Sequence, residues 1–172
     1  IVSCGPTAQN LNAWIEIEKK RQAARYPEMK LIALRYAGED INEAIKVTRD
    51  LITAFPNLKG IIGQCSTSAP GAAEAVTQMG KIGKIFVTGL SVPSLMRKYV
   101  KNGAVPSFVL WDPVKLGYLT VWAGKQLVDG KAFAAVNTVP TIGQVRYFPQ
   151  QRMLLLGPPT VFTKANVDRF DF

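Results

Sequence analysis

Short apolar runs alternate along the chain with longer segments whose apolar residues recur every three or four positions. "IVSC" (1–4), "KLIALRY" (30–36), "KGIIGQ" (59–64), "KIFVTGL" (84–90) and "SFVLW" (107–111) read as strands. They are apolar without alternation, which is the pattern of strands covered on both faces of a parallel sheet. Between them lie four amphipathic stretches. The first predicts a helix over about 10–25, with Leu11, Trp14 and Ile15 on one face, ended by "YP" because the residue before a proline disfavours helix. The second places Ile41, Ala44, Ile45, Thr48, Leu51, Ile52 and Phe55 at helical spacing, with Asp40 as its N-cap and Pro56 as its stop. The third carries Ala69, Ala72, Ala73 and Val76, small residues that let a helix lie close on a sheet. The fourth carries Leu95, Met96, Tyr99 and Val100 and closes on Asn102-Gly103.

A fifth helix is predicted from Pro113 to about Val128, with Asp112 as its cap. Five β-α units of this kind predict an α/β fold, a doubly wound parallel sheet with strand order 2-1-3-4-5. After Lys131 the rhythm breaks into short extended pieces and a last short helix capped by Thr163. The expected organisation is a sheet-and-helix body over 1–112, a helix over 113–135, and a tail of edge strands over 136–172.

Composition narrows the chemistry. The 172 residues carry a formal charge of +9, but the lysines and arginines are scattered without a dense tract, so a solvated surface is expected rather than a nucleic-acid patch. There is no histidine, which removes the commonest general base and metal ligand, and no Cys-His nucleophile pair can form. No spaced glycine set cradles a dinucleotide phosphate, and no paired acids stand at strand ends. No catalytic residue, metal or cofactor is therefore assigned. No apolar run reaches the roughly 18 residues of a membrane helix. The opening "IVSCG" begins inside an apolar strand without methionine, and residue 1 is read as a cut.

In open α/β sheets, ligands bind outside the carboxyl ends of the strands. Those ends supply Thr7, Gln9, Asn10, Tyr36, Ser66, Ser68, Ser91, Trp111 and Asp112. Neutral amides and hydroxyls with one carboxylate and one large aromatic suit a ligand rich in hydroxyl groups. Gln9 is the strongest candidate, since nothing local requires a glutamine there. Asn10 also reads as a helix cap, Ser66 and Ser68 as the start of the third helix, Asp112 as a cap whatever else it does, and Trp111 equally as core. Cys4 and Cys65 end neighbouring strands; two buried thiols are expected, with a disulfide as the alternative.

Taken together, "TAQNLNAW", "AFPNLKGIIG", "SAPGAAEAV", "VTGLSVPSLMRKYVKNG", "FVLWDPVKLGY" and "GPPTVFTKANVDRFDF" resemble the carboxyl-terminal part of periplasmic sugar-binding proteins of ABC importers, of the rhamnose and autoinducer-2 type. The resemblance covers essentially the whole chain. It implies one lobe of a two-lobed clamp of the type I periplasmic binding fold, closing on a monosaccharide and then recognised by the importer's membrane subunits. It also implies a periplasmic location, no enzymatic activity and no nucleic-acid partner. Autoinducer-2-type relatives carry an Asp-Gln pair after the first strand. Here Ala8 and Gln9 stand there, which favours a sugar over autoinducer-2. The resemblance further implies main-chain ligand contacts near Pro70 and Ala72, and a place beneath the cleft for Trp111 and Asp112. The helix from Pro113 would pack on the other lobe, so Leu116, Leu119, Trp122 and Leu127 need another cover: this same chain, or a second copy in a homodimer. The alternatives are a sugar-responsive repressor's sensor core, an autoinducer-2 binding protein and, more remotely, a small α/β enzyme.

Overall fold

A computed structural model describes residues 1–172. Four strands form a parallel sheet in the order β2-β1-β3-β4: β1 (Val2–Ser3), β2 (Arg35–Tyr36), β3 (Gly60–Gly63) and β4 (Phe86–Gly89). The expected fifth position is filled only in part. Strand β5 (Phe108–Leu110) meets this sheet through a single parallel bridge, Leu90 to Val109, and ladders instead with β9 (Thr160–Phe162). Stacking of Phe108 on Phe162, 4.8 Å between ring centres, accompanies that pairing. The second strand is also shorter than expected. Only Arg35 and Tyr36 ladder, because β1 offers two residues to pair with.

Helices α1 (Gln9–Arg25), α2 (Ile41–Ala54), α3 (Ser68–Gln78) and α4 (Pro93–Asn102) follow the first four strands. Asp40 caps α2 as expected, its carboxylate accepting from the Asn42 and Glu43 amides at 2.7 and 3.3 Å. Gly103, with φ 88°, ends α4 in the left-handed conformation that glycine adopts without penalty. The small residues of α3 do what their size allows. Ala69, Ala72, Ala73 and Val76 are fully buried, and a Cβ on Gly71 would lie 2.6 Å from the Cβ of Ala44 on α2. Val2, Ile61, Val87, Met96, Val100 and Phe108 complete the core of this body.

The chain divides into two compact units, Ile1–Leu110 with Val161–Phe172, and Trp111–Thr160. The fifth helix and most of the tail make one unit, and the last twelve residues belong to the first. There Arg97 on α4 donates to the Phe170 carbonyl, the Ser94 amide donates to the Phe172 carbonyl at 3.0 Å, and Lys101 pairs with Asp168 at 2.8 Å.

In the second unit, α5 (Pro113–Val128) accompanies an antiparallel sheet of β6 (Val136–Val139), β7 (Gly143–Phe148) and β8 (Met153–Leu155). Leu119 is buried with Val139 and Val145, and Trp122 packs against that cluster. Part of the α5 apolar stripe thus finds its cover within the chain. Val114, Val121, Leu127 and Val128 remain exposed.

Candidate functional site

The carboxyl ends of β1, β3 and β4 lie side by side because the three strands are parallel neighbours. The loops that leave them form a rim. After β1 the chain runs through Cys4 to Ala8 and enters α1 at Gln9. After β3 it runs through Gln64 to Thr67 and enters α3, and after β4 it passes Ser91 into α4.

Gln9 and Asn10, the first two residues of α1, are exposed on this rim. Asn10 does not cap the helix; that position belongs to Ala8, which has no side chain able to cap. Asn12 instead ties the loop, its amide donating to the Pro6 carbonyl at 2.7 Å. Two amide side chains at the start of a helix can each donate to and accept from hydroxyl groups.

Three expected contacts fall on buried residues. Pro70 and Ala72 lie inside α3, Ala72 completely buried; the expectation there is for main-chain contacts near them, and Pro70 itself has no N–H to donate. Ser91 is fully buried, and its hydroxyl donates to the Ser66 carbonyl at 2.8 Å. It braces the rim. Ser68 is likewise fully buried. Tyr36, by contrast, is exposed at the carboxyl end of β2.

The thiol expectation is overturned. Cys4 and Cys65 form a disulfide, with their Cα atoms 6.1 Å apart. The register explains it: Val2 stands opposite Gly63, so the residues two further along each parallel strand point to the same side. The two cysteines are each 8% exposed and sit with Leu11, Ala8 and Trp14. Thr67 reaches both sulfurs, at 3.4 Å to Cys65 and 3.8 Å to Cys4, and the Ser68 hydroxyl lies 3.0 Å from the Cys65 sulfur. A disulfide sulfur has no proton, so the hydroxyls are the donors.

In the second unit, Trp111 and Asp112 directly follow β5 and are partly exposed. One Asp112 oxygen accepts from the amides of Val114 and Lys115, both at 3.0 Å, so the cap is made as expected. The other oxygen lies 3.9 Å from the Lys115 ammonium. No group of three or more His, Cys, Asp or Glu side chains stands together as a metal site.

The large cavity of the first unit is elsewhere. A groove of about 630 Å³ runs along the amino ends of the strands, lined by Met29, Ile32, Ile62, Phe86 and Pro106 and edged by Glu18 and Gln22 of α1. Its floor is apolar, and Phe86 stands 49% exposed on it. A parallel sheet is ordinarily covered on both faces, and in open α/β sheets ligands bind at the carboxyl ends, so this groove has the character of an uncovered sheet face. Beside it the Ile1 nitrogen donates to the Ala33 carbonyl at 2.9 Å.

Comparison with known proteins places this architecture. The family model described as "Periplasmic binding protein domain" matches residues 1–132, and the chain belongs to that family. It is 33% identical over 90 residues to the D-allose-binding periplasmic protein of Escherichia coli (strain K12), which covers 52% of this chain and 29% of that protein. It superposes on a sugar ABC transporter structure from Actinomyces odontolyticus with a TM-score of 0.86 at 30% identity, covering 99% of this chain and 56% of that one. A solute-binding protein from Clostridium phytofermentas with bound L-rhamnose gives 0.87 at 29%, with 98% and 57% covered. LsrB from Clostridium saccharobutylicum in complex with AI-2 gives 0.89 at 25%, with 99% and 58% covered. These relatives are binding proteins. The chain spans a little over half the length of the structures it matches and less than a third of the curated relative, and it corresponds to one lobe of such a protein.

Proposed function

We propose that this chain is part of the substrate-binding component of a bacterial ABC sugar importer, acting in the periplasm and holding a monosaccharide of the rhamnose type. The observation that carries the reading is the rim: exposed Gln9 and Asn10 stand at the carboxyl edge of a parallel sheet, in a chain that matches sugar-bound relatives over almost its full length. Hydroxyl-rich ligands need groups that donate and accept at once, and the amides supply them. Within the second unit, Trp111 has a ring of the kind that stacks on the apolar side of a sugar, and Asp112 has an oxygen beyond the one that keeps the cap. Closure of the full clamp on the sugar would be what the importer's membrane subunits recognise.

The disulfide supports the periplasmic location. Such bonds persist in oxidising compartments and are rare in the cytosol, which weighs against a cytosolic repressor. Ala8 at the position of the acid weighs against autoinducer-2. The test is titration calorimetry of the full-length protein with L-rhamnose, D-allose, D-arabinose and AI-2. One sugar should bind with a Kd in the micromolar range or below, and Gln9→Ala should weaken it about tenfold or more, the loss of roughly one to two hydrogen bonds at about 1 kcal/mol each. Binding of AI-2 alone, or of none of the four, would overturn the assignment.

A further inference from the structure

We propose that the Cys4–Cys65 disulfide and the Ser91–Ser66 hydrogen bond form one strut that fixes the three rim loops relative to each other, and that this strut sets ligand affinity by holding the rim in its binding shape. The inference rests on the functional reading above. It concerns residues that touch no ligand and act through the rim.

The observations converge on the loop after β3. Its Cys65 is bonded to Cys4, the first residue after β1 and only five residues from Gln9. Its Ser66 carbonyl accepts from the Ser91 hydroxyl of the loop after β4, at 2.8 Å. Its Thr67 hydroxyl lies against both disulfide sulfurs. The Leu90 amide adds a backbone tie to the Gly63 carbonyl at 2.9 Å. One four-residue segment, 65–68, therefore anchors the loops on either side of it, one covalently and one through a fully buried hydroxyl.

Position makes this more than a stability device. A staple that only restrains the unfolded chain could join any two distant residues. This one joins two strands at the carboxyl edge, directly beneath loops that lead to the exposed amides, and it is covered by Ala8, Leu11 and Trp14 of the same loop and helix. Loops ordered before the ligand arrives need not be ordered by it, and the entropy of that ordering is then not subtracted from binding.

The test uses the full-length protein. Intact mass without reductant should fall two hydrogens short of the dithiol form. Calorimetry with the sugar found above is then run on wild type, on the Cys4→Ser/Cys65→Ser double variant and on Ser91→Ala, at a temperature where each is folded. Amide exchange is followed over 5–8 and 65–68 in the same samples. The double variant should bind about tenfold more weakly and exchange faster in both loops, and Ser91→Ala should lose about threefold, a fraction of one hydrogen bond's worth. Should the double variant not fold, Ser91→Ala carries the test, together with wild type treated with dithiothreitol, which gives two electrons and two protons to the bond and leaves as its own cyclic disulfide. Unchanged affinity and loop exchange, with only a lower melting temperature, overturn the strut. If wild type binds no sugar the functional reading fails, and the exchange data alone decide the strut: unchanged rim exchange in the variants overturns it, faster exchange supports it.

Discussion

At the carboxyl ends of β1, β3 and β4 the chain turns within a few residues, the side chains are amides and hydroxyls, and the loops are bonded to one another. On the other side of the sheet, Met29 and Ile32 before β2, Ile62 on β3 and Phe86 at the start of β4 line an open groove. The two regions belong to one parallel sheet in one register. What separates them is the kind of surface each leaves to be satisfied. The polar edge can take a ligand of hydroxyl groups, whereas the apolar edge gains nothing from hydrogen bonding and would gain from burial. Cavity size alone points to the apolar end, where the larger hollow lies. Direction of the strands points to the other, because in a parallel sheet every connection to a following helix leaves from the carboxyl edge.

The comparison breaks most sharply at Gly89, where β4 delivers its loop to the rim. Its φ of 140° is one that side-chain-bearing residues rarely adopt, and a Cβ there would run into the carbonyl oxygen of Gly63 on the adjacent strand. Gly63 in turn leaves room for Ala69 at the start of α3. Gly89→Ala should therefore cost on the order of 4 kcal/mol, combining backbone strain with overpacking. Urea denaturation followed by circular dichroism measures it. A loss under about 1 kcal/mol would mean the carboxyl edge is not as tightly built as the structure has it.

A second prediction sets the two faces of the sheet against each other. Ile61 on β3 is 3% exposed beneath the helices, while Phe86, in the pairing register beside Gly60, looks into the groove. Ile61→Ala should lose about 2–5 kcal/mol to the cavity it leaves. Phe86→Ala removes a larger side chain from a site only half buried and should lose under about 1 kcal/mol. The same denaturation series compares them. If Phe86→Ala proves as costly as Ile61→Ala in the 172-residue chain, the groove is not an open surface in solution.

Much of this was legible from the residues. The β-α alternation, the Asp40 and Asp112 caps, the stop at Gly103 and the close seat of α3 all follow from local chemistry, and each appears in the structure. Gln9, for which no local role accounts, is exposed at the start of α1. What failed was pairing across the chain. Asn10 reads as a cap only while the helix start is uncertain by a residue, and Ser91 reads as a ligand group only until its distant acceptor, the Ser66 carbonyl, is in place. The disulfide is of the same kind: neighbouring strand ends bring Cys4 and Cys65 near, but the register that aims them at each other belongs to the fold. Residues 136–172 read as a tail of edge strands with a short terminal helix, but "TVPTIGQVRYF" carries a hairpin pattern without its address; β6, β7 and β8 pair among themselves, and β9 pairs with β5.

The smallest expected effect lies on the helices that carry two of the rim loops. Glu74 of α3 accepts from the Tyr99 hydroxyl at 2.6 Å and from Lys98 at 3.1 Å, both on α4, and from Gln78 at 2.7 Å. The Tyr99 hydrogen bond first, then Lys98, holds its carboxyl below the usual carboxylate range. A carboxyl whose pKa is lower folded than unfolded stabilises the fold above the ordinary value and loses that contribution as pH falls through the folded one. Burial, and then Glu74, raises Tyr99, so its contribution is present below the ordinary phenol range and is lost on the alkaline side. Melting temperature should therefore decline as pH drops from about 6 to 3, and Glu74→Gln, which keeps an acceptor for Tyr99 but cannot titrate, should flatten that decline. Because Lys98 is exposed and screened, the difference should be modest and should shrink in high salt. An acid limb of identical slope in wild type and Glu74→Gln would show that this carboxylate does not couple α3 to α4, and would leave the rim loops held by the strut and the backbone alone.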